Sequence, residues 1–261
     1  MKPLSILVTN DDGITAPGLR ALVDVAKDFG HVIVVAPDKP QSAMGHAITI
    51  ADPLRLYPTQ DIFQDVDAYQ CSGTPVDCVK LAVDKIYGKV PPNLVLSGIN
   101  HGSNSSINIL YSGTLSAAME AAVEGIPAAG FSLLDYSWDA DFSAAKVYVR
   151  RIIQRMLQNP LPPRVFLNVN IPKGPLTAIR GIRTCRQAHA KWEEDFIERV
   201  DPNGRKYYWL TGVFVNFDEG KDTDEWALAH GYVSVVPVHF DLTAHHAISL
   251  MADWNEESLP E

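Results

Sequence analysis

Apolar positions along the first part of the chain alternate between short continuous runs and stretches spaced for a helix. Leu4 to Thr9 is a near-continuous apolar run, as expected of a parallel strand buried on both faces. Asn10-Asp11-Asp12-Gly13 ends it. From about Pro17, residues Leu19, Leu22, Val23, Ala26 and Phe29 fall at helical spacing, and Gly30 suits the C-terminal cap. Val32 to Ala36 predicts a second strand, stopped by Pro37. A long loop of polar and small residues then runs through Ser42 and His46 to Thr49, a kind of connection that often carries function. Ser72-Gly73-Thr74-Pro75 opens a helix with Val76, Val79, Val83 and Ile86 on one face, and Leu94 to Leu96 is the next buried strand. Ser112-Gly113-Thr114 opens a helix bearing Leu115, Ala118, Met119 and Ala122, which Gly125 ends. Ala128 to Leu133 is a strand, Phe142 to Met156 a long amphipathic helix, and Val165 to Asn170 a fifth core strand.

Strands alternating with helices imply a mostly parallel sheet covered on both faces, because parallel crossovers need helices to close them. The expected fold class is α/β, with residues 1–175 as the core. Beyond it, Lys206 to Val215 and Tyr232 to Val238 read as strands with no convincing helix between them. Residues 176–261 are therefore read as a β-rich extension of the same structural domain, and its apolar strand edges suit oligomerisation.

Composition narrows the function classes. With 46% hydrophobic and 20% charged residues, disorder is not a serious reading. The net charge of −9 comes without any Lys/Arg run, so polymeric nucleic acid is not expected as a partner. An acidic protein acting on anions needs a local cation, and a bound metal is the simplest supply. No apolar run approaches the ~18 residues of a membrane span, and the N-terminus lacks a signal-peptide pattern. Cys71, Cys78 and Cys185 have no zinc-type spacing and read as buried, reduced residues, which makes the cytoplasm the expected home.

Open α/β sheets bind ligands outside the carboxyl ends of their strands. Two of the most polar segments sit at such ends: Asn10-Asp11-Asp12-Gly13 and Gly98-Ile99-Asn100-His101-Gly102. Adjacent carboxylates at a strand terminus repel each other unless a cation compensates, and a hard divalent ion takes carboxylate, hydroxyl and amide oxygens alike. The bland alternative has Asp11 capping the next helix and Asp12 solvated. Each Ser-Gly-Thr triplet stands before a helix, where free N–H groups and a hydroxyl can hold a phosphate, although capping alone also explains it. No Walker-type or dinucleotide fingerprint is present. His46 and His101 lie in loops beside the candidate site and could donate a proton to a leaving group. His245-His246 lacks a metal-binding frame and reads as solvated.

Val8-Thr9-Asn10-Asp11-Asp12-Gly13 with Ala16-Pro17-Gly18 resembles the opening of the survival-protein SurE family of nucleotidases. The resemblance continues in order through Val35-Ala36-Pro37-Asp38, Ser42, Gly73-Thr74-Pro75, Ser97 to Asn104, Tyr111-Ser112-Gly113-Thr114, Thr223-Asp224 and Gly231-Tyr232-Val233-Ser234. It implies a Rossmann-like core whose β-rich extension helps form homodimers or homotetramers. It also implies one divalent metal ion per subunit, Mg²⁺ or Mn²⁺, held by Asp11, Asp12, Ser42 and Asn100, with Asp11, Asp12 and Asn100 as the catalytic set. Asn104, Ser112, Gly113 and Thr114 match positions lining a phosphate site. The implied substrates are nucleoside 5′- and 3′-monophosphates and other small phosphomonoesters, with short polyphosphate in some members. Two departures stand out: Ala43 follows Ser42, and Ser106 precedes the Tyr-Ser-Gly-Thr segment, at positions where glycine is common. No base-recognition motif is evident, and the loop from Asp38 to Thr49 offers no aromatic walls.

Two rivals differ at identifiable residues. A haloacid-dehalogenase-type phosphatase resembles D-x-D-x-[TV] after its first strand, whereas here the second acid is adjacent and Gly13 follows. A non-catalytic nucleotide-binding module would keep anion-binding helix ends but would not need the paired acids.

Overall fold

The computed structural model describes residues 4–60 and 62–255. The chain runs β1 (Leu4–Thr9), α1 (Pro17–Ala26), β2 (Gly30–Pro37), β3 (Leu56–Thr59), β4 (Asp67–Cys71), α2 (Pro75–Leu81), β5 (Leu94–His101), α3 (Gly113–Val123), β6 (Ala128–Leu133), α4 (Ser143–Gln158) and β7 (Val165–Ile171). It continues through β8 (Gly181–Thr184), β9 (Ala190–Val200), β10 (Lys206–Asn216), α5 (Asp224–Ala229), β11 (Tyr232–His239) and α6 (His245–Ile248). A nine-stranded sheet has the order β3-β4-β2-β1-β5-β6-β7-β11-β8. Strands β4, β2, β1, β5, β6 and β7 are parallel neighbours, while β3 and β11 join antiparallel. The α/β, mostly parallel, doubly covered sheet expected from the sequence is the observed fold.

Two apolar layers explain why the helices sit where they do. On one face, Leu19, Leu22 and Val23 of α1 and Tyr148, Val149, Ile152 and Ile153 of α4 pack with Ile6, Val8 and Leu96. On the other, Cys78 and Val79 of α2 and the alanines of α3 pack with Leu7, Val35 and Val95. Ala117, Ala118, Ala121 and Ala122 are small enough to let α3 lie close to the sheet. β1 is flanked by β2 on one side and β5 on the other, so the chain reverses its direction of strand addition between β1 and β5. That crevice is where such sheets gather their ligands.

Three features depart from the expected layout. β3 and β4 fall where the sequence carries no continuous apolar run. The expected absence of helices between Lys206 and Tyr232 is corrected by α5, a short helix that Thr223 caps by accepting from the Trp226 N–H. The segment beyond residue 175 is also more integrated than its pattern implied. β11 pairs antiparallel with β7, and β8 pairs parallel with β11. The antiparallel β9–β10 hairpin forms a separate two-stranded sheet. Among the described residues no helix is long and apolar enough to cross a membrane.

Candidate active site

The carboxyl ends of β1 and β5 are brought together by their parallel register, in which Thr9 faces Ser97. Asp11 leaves β1 directly over the start of α3. A Cβ on Gly113 would lie 2.8 Å from the Asp11 Cβ, so only glycine lets the helix start this close to the carboxylate. Asp11 is 6% exposed and accepts a hydrogen bond from the Thr114 hydroxyl. Burial, then the neighbouring Asp12 charge, pushes the Asp11 carboxyl up to about 6, against the pull of the Thr114 hydroxyl. Burial also raises Asp12, whose Oδ2 accepts from the His101 N–H at 3.3 Å. Two adjoining acids are thus held where ionisation is costly.

The other expected ligands face the same place. The Asn100 Nδ2 donates to the carbonyls of Gly102 at 2.9 Å and His101 at 3.3 Å. Those acceptors fix the amide's orientation and turn Oδ1 toward the Thr114 hydroxyl, 3.5 Å away. Ser42 arrives because the Gln41 N–H donates to the Asp11 carbonyl at 2.8 Å, and the loop behind it is tied down further along. Thr74 Oγ1 donates to the Ala47 carbonyl at 2.7 Å, and Thr49 Oγ1 donates to Asp77 at 2.7 Å. Asp11, Asp12, Ser42 and Asn100 line one cleft of about 340 Å³. Among the described residues no three His, Cys, Asp or Glu side chains gather as a metal cluster. An ion here would rest on two carboxylates completed by hydroxyl and amide oxygens. That all-oxygen set fits a hard divalent cation.

The four expected phosphate residues divide into two pairs. Asn104 and Ser112 line the cleft; Gly113 and Thr114 are not among its walls and are buried against Asp11. Ser112 is the N-cap of α3, its Oγ accepting from the Leu115 N–H, which leaves its own O–H free to donate. The first Ser-Gly-Thr triplet has a different task. Thr74 and Asp77 form a reciprocal capping box on α2, so this triplet anchors the Ser42 loop.

Several supporting residues escape a reading of local pattern. Asn104 donates its N–H to Asn170 Oδ1 and its Nδ2 to Ser132 Oγ, both at 2.8 Å, while its carbonyl accepts from Asn168 Nδ2 at 2.8 Å. Asn168 and Asn170 are polar residues at alternate positions of a buried strand, a signal visible in the sequence once the strand is drawn. Buried Asp224 accepts from the Ser106 N–H at 2.8 Å and the Ala188 N–H at 2.9 Å, bracing the loop that carries Asn104. Both glycine departures occupy left-handed backbone, Ala43 at φ 58° and Ser106 at φ 52°. Ser106 Oγ donates to the Ala188 carbonyl at 2.8 Å.

Of the two loop histidines, His101 lines the cleft, whereas His46 is engaged with buried Glu120 at 2.9 Å. The His101 Nδ1–H donates to the Ser137 carbonyl at 2.8 Å, and its ring stacks on Trp138. His245 is paired with Asp241 at the surface.

A family model described as Survival protein SurE matches residues 6–194. The 5′-nucleotidase SurE of Flavobacterium psychrophilum is 61% identical over 254 residues, covering 97% of this chain and 98% of that protein. The 5′-nucleotidase SurE of Christiangramia forsetii is 61% identical over 256 residues, with 97% of each covered. The crystal structure of the SurE protein from Aquifex aeolicus is 37% identical, with a TM-score of 0.83 over 96% of this chain and 100% of that one.

Proposed function

The chain belongs to the SurE family, and from that premise we propose that it is a divalent-metal-dependent phosphomonoesterase acting on nucleoside 5′- and 3′-monophosphates. Short polyphosphate is included as a further substrate. The observation that carries this reading is the pair Asp11 and Asp12, both raised by burial, beside the inward-facing Asn100 Oδ1. Such a pair is destabilising by itself and is relieved by a cation. A non-catalytic nucleotide-binding module would have no use for it.

Asp11, Asp12, Ser42 and Asn100 would hold one Mg²⁺ or Mn²⁺ per subunit. When bound, the ion supplies Lewis-acid polarisation of the phosphoryl group and lowers the pKa of an attacking water. Thr114 holds Asp11 in place by donating to its Oδ1, and Asn100 is held by the two carbonyls behind it. The free Ser112 O–H and the second Nδ2 hydrogen of Asn104, both residues of the cleft wall, would donate to phosphoryl oxygens as negative charge builds there. His101 is the histidine that reaches the cleft. Nothing in this set reads a particular base.

The test is phosphate release from a panel of phosphomonoesters with Mn²⁺ and then with excess chelator. Release that appears with the ion and stops with the chelator is expected. Turnover at the same rate in chelator would overturn the metal-dependent reading.

A further inference from the structure

A second cleft of about 590 Å³ adjoins the first and has a different character. The two share Ala43, Asn108 and Tyr111, so a molecule seated on the acids can extend directly into it. Its size falls in the range of small-ligand pockets. Its remaining walls come from the base and middle of the β9–β10 hairpin: Trp192 and Glu194 from one strand, Leu210, Thr211 and Gly212 from the other.

Both aromatic surfaces are exposed, and the Trp192 ring is also fixed. Tyr111 is 51% exposed and Trp192 is 41% exposed. The Trp192 Nε1–H donates to Asn108 Oδ1 at 2.8 Å, and Phe214 packs edge-on at 5.6 Å. The indole is thereby locked in place, and a preorganised aromatic face loses little freedom when a flat ring stacks on it. Gly212 keeps the strands close, since a Cβ there would come within 2.7 Å of the Glu193 carbonyl. Glu194 and Thr211 add polar groups to a largely apolar wall.

From this juxtaposition we propose that the cleft between Tyr111 and the β9–β10 hairpin, walled by Trp192, seats the base of a nucleoside monophosphate whose phosphate occupies the Asp11–Asp12 cleft. The inference rests on the proposed phosphatase reading for the placement of the phosphate, but the pocket itself requires no turnover. It supplies the aromatic walls that the Asp38 to Thr49 loop lacks. Recognition by stacking tolerates every base, because each has a π-face, so the pocket selects nucleotides over base-free phosphates.

The experiment pairs a binding measurement with a ratio of rates. Adenosine binding is measured by equilibrium dialysis. The kcat/KM for AMP is divided by that for ribose 5-phosphate, which carries no base. Stacking contributions to base binding predict that Trp192→Ala weakens adenosine binding and lowers the AMP to ribose 5-phosphate ratio by about 5- to 150-fold. Trp192→Phe should recover most of both, and Tyr111→Ala, on the opposite wall, should give the same selective loss. Failure of the parent to bind adenosine would overturn the proposal, as would a pocket filled by a second copy of the chain. Adenosine binding or a rate ratio unaltered in both alanine variants would overturn it equally. If neither ester is hydrolysed with Mn²⁺ present, the phosphatase reading fails, while adenosine binding still decides the pocket.

Discussion

Asp11→Asn should stabilise the metal-free protein while destroying its function. The amide keeps the shape of the carboxylate and can still accept from the Thr114 hydroxyl through its oxygen. What it removes is a buried charge. The rise of the Asp11 carboxyl from 3.8 to about 6 corresponds to roughly 3 kcal/mol against the ionised form, and with 6% exposure little of that is screened. The folded value lies above the unfolded one, so protonation favours folding. That favourable contribution is complete below about pH 4 and is lost as pH climbs through about 6.

In chelator at pH 7.5 the Asn variant should therefore be more stable than the parent by up to about 3 kcal/mol. For a chain of this size that is roughly 6–12 °C in Tm. At pH 4 the two should converge. Saturating Mn²⁺ should add about 2.7 kcal/mol to the parent at one hundred times Kd and little to the variant, since a neutral amide is a weaker ligand for a hard cation. Thermal melts at both pH values, with chelator and then with Mn²⁺, check each limb, and phosphate release should fall to near background. A variant that melts below the parent in chelator at pH 7.5, or one that keeps parental turnover, would refute the reasoning.

Other predictions follow from the same geometry. Thr114→Val should act through Asp11: α3 keeps its Ser112 cap, but the lost charge-assisted bond should cost roughly 1.5–3 kcal/mol and move the acid limb of the kcat–pH profile upward, with Thr114→Ser restoring both. Ala43→Gly should raise stability by up to about 1 kcal/mol in denaturant melts, because relief of left-handed strain outweighs the extra entropy of glycine. The hairpin exposes Phe196, Val200, Tyr207, Trp209 and Val213, so light scattering at micromolar concentration should give a homodimer or homotetramer, and replacing residues 197–209 by a tight turn, which leaves Phe196 paired with Leu210, should shift the mass toward monomer.

How far the sequence discloses this molecule depends on whether each feature is written locally. β1, β5 and β6 are legible because a strand buried on both faces must be apolar throughout. β4 is not: Asp67-Ala68-Tyr69-Gln70-Cys71 has mixed burial, and a short mixed run is indistinguishable from a loop. α5 hides for a different reason, since its six residues are too few to show a period and only the Thr223-Asp224-Glu225 start signal marks it. Asp11 and Asp12 can be singled out because two adjacent acids at a strand end are chemically anomalous anywhere. Which residues answer them is set by topology. Thr114 and Asn100 meet Asp11 because β1 and β5 are neighbours and α3 begins against Asp11 at Gly113. The Trp192 wall is more remote still, carried to the cleft by a hairpin residue 84 positions beyond Asn108, to which it is fastened. Ala43 and Ser106 lie between these cases. The family resemblance marks both as positions where glycine is common, but only the backbone shows what each demands, a left-handed turn. At Ser106 the hydroxyl bond to Ala188 offsets part of that strain, and no hydrogen bond of the Ala43 side chain can do the same. The Ser42 loop, which carries an expected metal ligand, is therefore the more strained of the two, and the place where a single substitution can relax the site without touching its chemistry.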